Sequence, residues 1–495
     1  MATMAAVDLG AQSGRVARGQ FDGSRLEVQE VHRFPNDPVA SGGTLCWDVE
    51  RLHREVLDGL RAAGRDAPVD SLAVDSWAVD FGLLDAKHEL VESPRHYRDG
   101  RRAAAVAGVF ERVPARELYQ RTGIQLLPIN TVFELAAMAS ERDPALEAAR
   151  TLLLIPDLFH FWLCGSKTTE FTNATTTQCY DPTAGEWATD LLERLDVPVR
   201  LLPEIVSPGT VLGPLTPAAA DATRLDGARV VAIATHDTGS AVAAVPLADG
   251  DSVYLSIGTW SLVGVEVDQP VIGDSSFAAN LTNEGGVDGT FRLLRNVTGL
   301  WLLDECRRAW ANAGNELGFG ELRALAGDAP AFLAFIDPTA EVFLEPGDMP
   351  SRIRAFCRRT GQPEPAGVGE LVRCVLESLA LKHAETIDVL HDVNGSTPST
   401  LHVVGGGARN ALLCAWTASA SGLPVFAGPE EATLVGNLLV QAMTLGEIGS
   451  LREARDVVRA SFEPVVYEPE LSAGWQEARA RFAELPNGAG LEVDA

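Results

Sequence analysis

Lysine is almost missing from this chain: three occur in 495 residues, Lys87, Lys167 and Lys382. None stands in a G-x-x-x-x-G-K-[ST] arrangement, which excludes a P-loop NTPase. Lysine and arginine together number 40 against 68 acidic residues, a formal net charge of −28. That balance argues against a nucleic-acid partner and against an anionic membrane surface. It also repels polyphosphates, so any phosphate site must be built locally from backbone N–H groups, hydroxyls, a metal and Arg15. Long apolar runs are lacking as well. The most hydrophobic, Leu152 to Leu163, is interrupted by Pro156, Asp157 and His160, so no membrane span is expected. Met1 to Gly10 has no basic n-region and contains Asp8, so a secretory signal is not expected, and the cytoplasm is the expected location. The seven cysteines show no metal-type spacing and read as free, buried thiols. Cys357 and Cys374 flank a helix start; the sequence leaves open whether they meet.

What is present is the composition of a globular protein, 46% hydrophobic and 22% charged. The length exceeds a single core and implies two domains. Val7-Asp8-Leu9-Gly10-Ala11-Gln12-Ser13 returns in loosened form as Leu255-Ser256-Ile257-Gly258-Thr259-Trp260-Ser261, with the glycines 248 positions apart. Each copy closes a short apolar run and is followed by a second, valine-rich one, which reads as strand, tight glycine turn, strand. Gly10 and Gly14 permit a backbone that presents N–H groups to an anion. Asp8 could hold Mg²⁺ through water. An ordinary hairpin explains either copy alone, and the repeat favours a phosphate site. Two such turns facing one another would surround one polyphosphate.

The first half opens as a meander, with strands Ala5 to Leu9, Gly14 to Phe21 and Leu26 to Phe34. A helix from Val49 to about Gly64 and strands at 71–75 and 79–84 follow. The same order recurs in outline after Ser252, with a buried strand at Leu401 to Val404 and helices at 370–390 and 409–421. The expected domains are residues 1–246 and 247–468, followed by a helical tail at 469–495. The join at Pro246-Leu247-Ala248-Asp249-Gly250 is short and suits a hinge.

Four further stretches carry polar groups at strand or helix ends. His236-Asp237-Thr238-Gly239-Ser240 follows an apolar run. Thr238 and Ser240 suit helix caps, whereas Asp237, ionised near a helix N-terminus, suits a base. Gly405-Gly406-Gly407 lies between a strand and a helix, where backbone can approach a ligand closely. Asp75-Ser76-Trp77-Ala78-Val79-Asp80-Phe81 joins carboxylates to aromatics and fits a sugar site or a half-buried strand. Asn296 reads as a hydrogen-bonding group beside a helix start, or as its cap.

From Ala5 to Phe462 the chain resembles the FGGY carbohydrate kinases, within the sugar kinase/Hsp70/actin architecture. The resemblance rests on Val7-Asp8-Leu9-Gly10-Ala11, Ser13-Gly14-Arg15-Val16, Asp75-Ser76-Trp77 and Tyr97-Arg98-Asp99. It continues through Thr172-Asn173-Ala174-Thr175-Thr176-Thr177-Gln178, His236-Asp237-Thr238, Gly258-Thr259-Trp260-Ser261 and Thr282-Asn283-Glu284-Gly285-Gly286. The 172–178 and 282–286 stretches favour the branch acting on L-rhamnulose over those acting on xylulose, fuculose or glycerol. The resemblance implies an α/β fold of two RNase H-like domains with a cleft between them. It further implies ATP and Mg²⁺ as cofactors, a small sugar as substrate, and a monomer or small homo-oligomer. Ala11, Gln12, Ser13, Gly14, Arg15, Thr259, Asp304 and Gly406 would line ATP, and Asp8 would serve the metal. Ala78, His236, Asp237, Thr238 and Asn296 would line the sugar, with Asp237 accepting the proton. Domain closure would exclude water. A non-catalytic ATP-binding module on the same fold is the alternative from another class. Three departures stand out: Ala78 where the family typically has Gly, Asp304 where it has Gln, and Gln12 in place of a small Ser.

Overall fold

The computed structural model describes residues 2–247 and 252–486, in two compact units. The expected hinge residues Ala248 to Gly250 and the last nine residues of the expected tail lie outside the described residues.

Unit one comprises residues 1–246, 266–293 and 432–462. Its sheet runs Thr210–Pro214, Arg229–Ala232, Ser71–Ser76, Ala2–Leu9, Ser13–Phe21, Leu26–Pro35. The three central strands are parallel and the flanking pairs antiparallel. Every residue of Ala2–Leu9 and of Ser71–Ser76 is buried, as expected for strands covered on both faces. Helix Val49–Ala63 covers part of the sheet with Leu52, Val56 and Leu60. Asp48 caps its start by accepting from Arg51 N–H at 3.0 Å.

The expected partition at 246/247 leaves out two returns of the chain to unit one, 266–293 and 432–462. Helix Ala432–Thr444 packs on Ala2–Leu9, on Ser71–Ser76 and on helix Asp237–Ala243. Gln441 donates to the Ala5 carbonyl at 3.0 Å and accepts from Ser71 Oγ at 2.7 Å. Val440 and Leu451 join Ala73, Val231, Ile233 and Ala243 in one core cluster. Residues 432–462 therefore belong to the first unit, because their apolar face has its partner there.

Unit two comprises 247–265, 294–431 and 463–495. Its strands follow the order Phe291–Thr298 (from Leu294 onward), Trp260–Val267, Ser252–Ile257, Thr400–Val404, Val425–Ala427, Val465–Tyr467. Here too a parallel centre, Ser252–Ile257 beside Thr400–Val404 beside Val425–Ala427, is flanked by antiparallel strands. The repeated turn thus marks the first hairpin of two sheets with the same strand order. The terminal segment is a helix, Ala473–Ala483, whose Trp475, Ala478 and Phe482 are buried within this unit.

Three boundaries beside the candidate site residues differ from expectation. The strand expected from Val79 starts at Phe81, because Val79 takes a left-handed conformation (φ 65°) that ends extended pairing. The helix expected from Arg409 starts at Ala411, after a 3₁₀ turn over Gly406–Arg409. Asn296 lies inside strand Phe291–Thr298, and the following helix begins at Trp301 with Leu300 at its N-cap. Asn296 is therefore not a cap. All seven cysteines are free, and the thiols of Cys357 and Cys374 are hydrogen-bonded without a disulfide.

Candidate functional site

In unit one the three parallel strands end side by side. Trp77 N–H donates to the Leu9 carbonyl at 3.1 Å, and Ser76 N–H to the Thr235 carbonyl at 2.9 Å. Asp8, Asp75 and His236–Asp237 therefore share the carboxyl edge of the sheet, where open α/β sheets place their ligands. The Gly10 turn is closed by Gly10 N–H on the Ser13 carbonyl at 3.1 Å. Asn36 pins it from the side, its amide donating to the Gly10 carbonyl at 2.8 Å.

Arg15, expected to meet phosphate, lies on Asp8: its Nε and Nη2 are each 2.7 Å from Asp8 Oδ2. The acidic edge thus carries its own cation. Asp75, register partner of Asp8 on the parallel strand, accepts from Asn437 Nδ2 at 2.6 Å. Burial, and then the charge of Asp8, push its carboxyl well above the usual range. Among the described residues, no group of three or more His, Cys, Asp or Glu is arranged to hold a metal. Magnesium normally takes one or two carboxylates plus phosphate oxygens and water. The single Asp8 carboxylate fits that requirement for an ion arriving on a nucleotide.

Asp237 opens helix Asp237–Ala243 with His236 at the N-cap. Thr238 donates to Asp237 Oδ1 through N–H at 2.6 Å and through Oγ1 at 3.2 Å, so it serves the carboxylate and not the cap. Ser240 Oγ donates to the Ala234 carbonyl instead. His236 Nε2 approaches Asp237 Oδ1 to 3.4 Å. The helix N-terminus alone was expected to keep Asp237 ionised. Burial in fact raises its carboxyl and Asp8 raises it further, while His236 and Thr238 hold it down. The side chain keeps 29% of its accessible surface, so a ligand can reach it.

Glu170, which belongs to no motif read from the sequence, positions this loop. Its Oε2 accepts from Thr235 N–H at 2.9 Å, Thr235 Oγ1 at 2.8 Å and Thr172 Oγ1 at 2.5 Å. Thr172 Oγ1 in turn accepts from His236 N–H at 3.2 Å. The specific Thr172–Gln178 stretch thereby holds His236–Asp237 in place.

Ala78 lies in the turn after Trp77, half-buried beside the strained Val79. Beneath it, Asp80 accepts from Trp47 Nε1 at 2.6 Å, Trp77 Nε1 at 3.0 Å and Arg102 Nη2 at 2.6 Å. Trp47 stacks on His96 at 4.2 Å and tilts against Trp77 at 4.1 Å. Asp80 is thus a buried anchor of an aromatic wall, and burial raises its carboxyl against the pull of Arg102.

In unit two the second turn is built alike. Gly258 N–H donates to the Trp260 carbonyl at 2.8 Å, and Leu300 N–H to the Gly258 carbonyl at 3.0 Å. Helix Trp301–Asn312, which carries Asp304 in its first turn, is thereby docked on Thr259. Asp304 also faces Arg307 at 3.6 Å. A methyl on Gly299 would lie 2.6 Å from Trp260 C, and one on Gly405 (φ 82°) 2.9 Å from the Ile257 carbonyl. At Gly406 nothing lies within 4 Å of an added methyl, so its backbone is open to a ligand. Thr259, Asp304 and Gly406 thus gather in one unit, while Ala78 and His236–Thr238 belong to the other. Asn296 lies in unit two, away in sequence and unit from the other expected sugar residues.

Residues 3–244 match the N-terminal domain of the FGGY family of carbohydrate kinases, and residues 253–445 match its C-terminal domain. The chain is 42% identical over 478 residues to the rhamnulokinase of Bacteroides thetaiotaomicron, covering 96% of this chain and 98% of the relative. It is 38% identical over 464 residues to the rhamnulokinase of Oceanobacillus iheyensis, covering 93% and 97%. In fold it is similar to the ligand-bound xylulose kinase of Lactobacillus acidophilus, with TM-score 0.81 at 18% identity, covering 100% and 99% of the two chains.

Proposed function

Because the chain belongs to the FGGY family of carbohydrate kinases, we propose that it transfers the γ-phosphoryl group of ATP to the 1-hydroxyl of L-rhamnulose. The products are L-rhamnulose 1-phosphate and ADP, a step of L-rhamnose breakdown. The accessible Asp237 carboxylate, held between His236 and Thr238, is the observation that carries the chemistry.

Phosphoryl transfer passes through a loose transition state, so the protein mainly positions reactants and balances charge. The 1-hydroxyl oxygen bonds to the γ-phosphorus while the bond to the β,γ-bridging oxygen breaks. Asp237 takes the hydroxyl proton and releases it to solvent after ADP leaves. General-base help of this kind is worth about 10²–10⁴-fold. The Gly10 and Gly258 turns, Gly406 and the start of the Asp304 helix would present backbone N–H groups to the nucleotide. Asp8 would hold a nucleotide-borne Mg²⁺ through water, and that ion would supply neutralisation of developing phosphate charge. Ala78, His236 and Asn296 would meet the sugar, backed by the aromatic wall on Asp80.

Asp237→Asn tests the assignment. Turnover should fall at least about 100-fold while sugar binding, read by calorimetry, is kept; near-wild-type turnover would refute the role. A coupled ADP assay over L-rhamnulose, L-fuculose, D-xylulose and glycerol tests the substrate. Equal or better kcat/KM on another of these would replace L-rhamnulose. ATP binding with no sugar-dependent turnover on any of them would favour a non-catalytic module.

A further inference from the structure

The residue facing Asp237 is itself held from behind. A hairpin runs from strand Thr282–Gly285 to Phe291, closed by Gly286 N–H on the Thr290 carbonyl at 2.8 Å. It sets Glu284 and Arg292 against the ring of His236. Arg292 Nη2 lies 3.1 Å from His236 Nδ1 and 3.1 Å from Glu284 Oε2. Glu284 Oε2 lies 3.2 Å from the same Nδ1. Arg292 Nε donates to the Gly285 carbonyl at 2.9 Å, which fixes the guanidinium in the hairpin. Arg292 is fully buried, and the Glu284 side chain is 5% exposed.

Guanidinium can only donate and an ionised carboxylate can only accept. The two partners therefore demand opposite things of Nδ1: Arg292 requires a lone pair there, and Glu284 requires a hydrogen. Arg292 Nη2 bonds to Nδ1, and its positive charge offsets the Glu284 carboxylate 3.1 Å away. In that arrangement the two demands on Nδ1 no longer conflict, and the ring hydrogen sits on Nε2, facing Asp237 Oδ1 at 3.4 Å. The partner of one ring nitrogen sets the state of the other.

We propose that Arg292, balanced by Glu284, is a positioning residue that fixes His236 as the Nε2–H tautomer and so aims a donor at Asp237. This rests on the reading of Asp237 as the base, and it adds residues that none of the sequence motifs singles out for catalysis. Arg292→Met removes the donor, leaving Glu284 to draw the hydrogen to Nδ1 and turn a lone pair toward Asp237. Turnover should fall about 10–100-fold, the scale known for removing the partner that orients a metal-binding histidine. Adding Glu284→Gln to Arg292→Met supplies an amide hydrogen to Nδ1, removes the buried negative charge, and should recover about tenfold. Arg292→Lys, which keeps a cationic donor, should fall between.

The test joins steady-state kcat for these variants to long-range ¹H–¹⁵N spectra of ring-labelled histidine, with His236 assigned by its loss in His236→Gln. The expected result is Nε2–H in the wild type, Nδ1–H in Arg292→Met, and Nε2–H again in the double variant, with kcat following the tautomer. A wild-type tautomer in Arg292→Met, or a double variant as slow as the single, would overturn the proposal. The Asp237→Asn result is separate. If that variant is inactive while kcat ignores the tautomer, the base stands and the positioning role falls. If it turns over normally, the base reading falls, whatever the spectra show.

Discussion

Gly436 is where the returning helix meets the helix that starts at Asp237. A methyl added there would sit 1.7 Å from the Ser240 carbonyl oxygen and 2.6 Å from its carbon, where such contacts essentially never fall below 3.0 Å. Gly436→Ala therefore requires the two backbones to part by about 1.3 Å, the difference between those oxygen distances. No flexible side chain is available to yield, since the obstacle is main chain. Overpacking of this kind costs about 1–3 kcal/mol. At about 2–4 °C per kcal/mol for units of this order of size, the melting temperature should fall by about 2–12 °C. The displacement also separates Asn437 from Asp75, now 2.6 Å apart, and tilts the helix carrying Asp237. Misplacing reacting groups by about 1 Å can cost about 100-fold, so kcat per folded molecule should fall as well. Differential scanning calorimetry and initial rates with saturating sugar measure both. Gly320→Ala, where nothing lies within 4 Å of the added methyl, is the control and should be neutral or slightly stabilising. Wild-type melting and wild-type kcat in Gly436→Ala would show that this close contact does not hold the two helices.

Ala78→Gly should lower the KM for L-rhamnulose by about 5–10-fold, the low end of the 1–3 kcal/mol that one methyl is worth in such a pocket. An unchanged KM would mean that the Ala78 methyl does not touch the sugar. Buried His160 should make the fold acid-sensitive. Its Nε2 accepts from Val74 N–H at 3.3 Å, and burial lowers its pKa to about 3. The unfolded chain binds this proton near pH 6.5, so stability is lost as pH falls from 6.5 toward 3, by about 1.4 kcal/mol per unit. Carboxyls raised by burial, such as Asp157 and Glu170, act in the opposite direction. The comparison must therefore be between wild type and His160→Gln, by urea unfolding at pH 7 and pH 4.5. Equal losses in both proteins would refute the assignment.

The strands around the glycine turns were legible because alternation and turn chemistry are local. The same holds for His236–Asp237, where an apolar run meets a polar helix start. Helix Ala432–Thr444 shows why the rest was not. Its apolar residues announce burial, yet periodicity names no partner, and only tertiary packing assigns Gln441 to Ser71 and Asn437 to Asp75. Glu170 is a single acidic residue between Thr169 and Phe171, and nothing local distinguishes it from a solvated one. Arg292 sits in an apolar strand where its charge should have raised a question, since a buried arginine requires partners. The Thr282–Gly286 stretch was noticed, but the task of its Glu284 appears only with the hairpin folded back on His236. Arg15 was read by its charge alone, and its register opposite Asp8 across the hairpin decides its contact.

The return of residues 432–462 to the first unit also has a consequence for synthesis. As the chain leaves the ribosome, the last strand of the first sheet is complete at residue 232, but the covering helix begins only at residue 432. Until then, Ala5 and Ser71 lack the glutamine that completes their hydrogen bonds, and Asp75 lacks its asparagine. A nascent chain released at residue 246 would expose the apolar patch of the sheet that helix Ala432–Thr444 covers, the kind of surface chaperones retain. Residues 432–462 must therefore be made before the first unit can close.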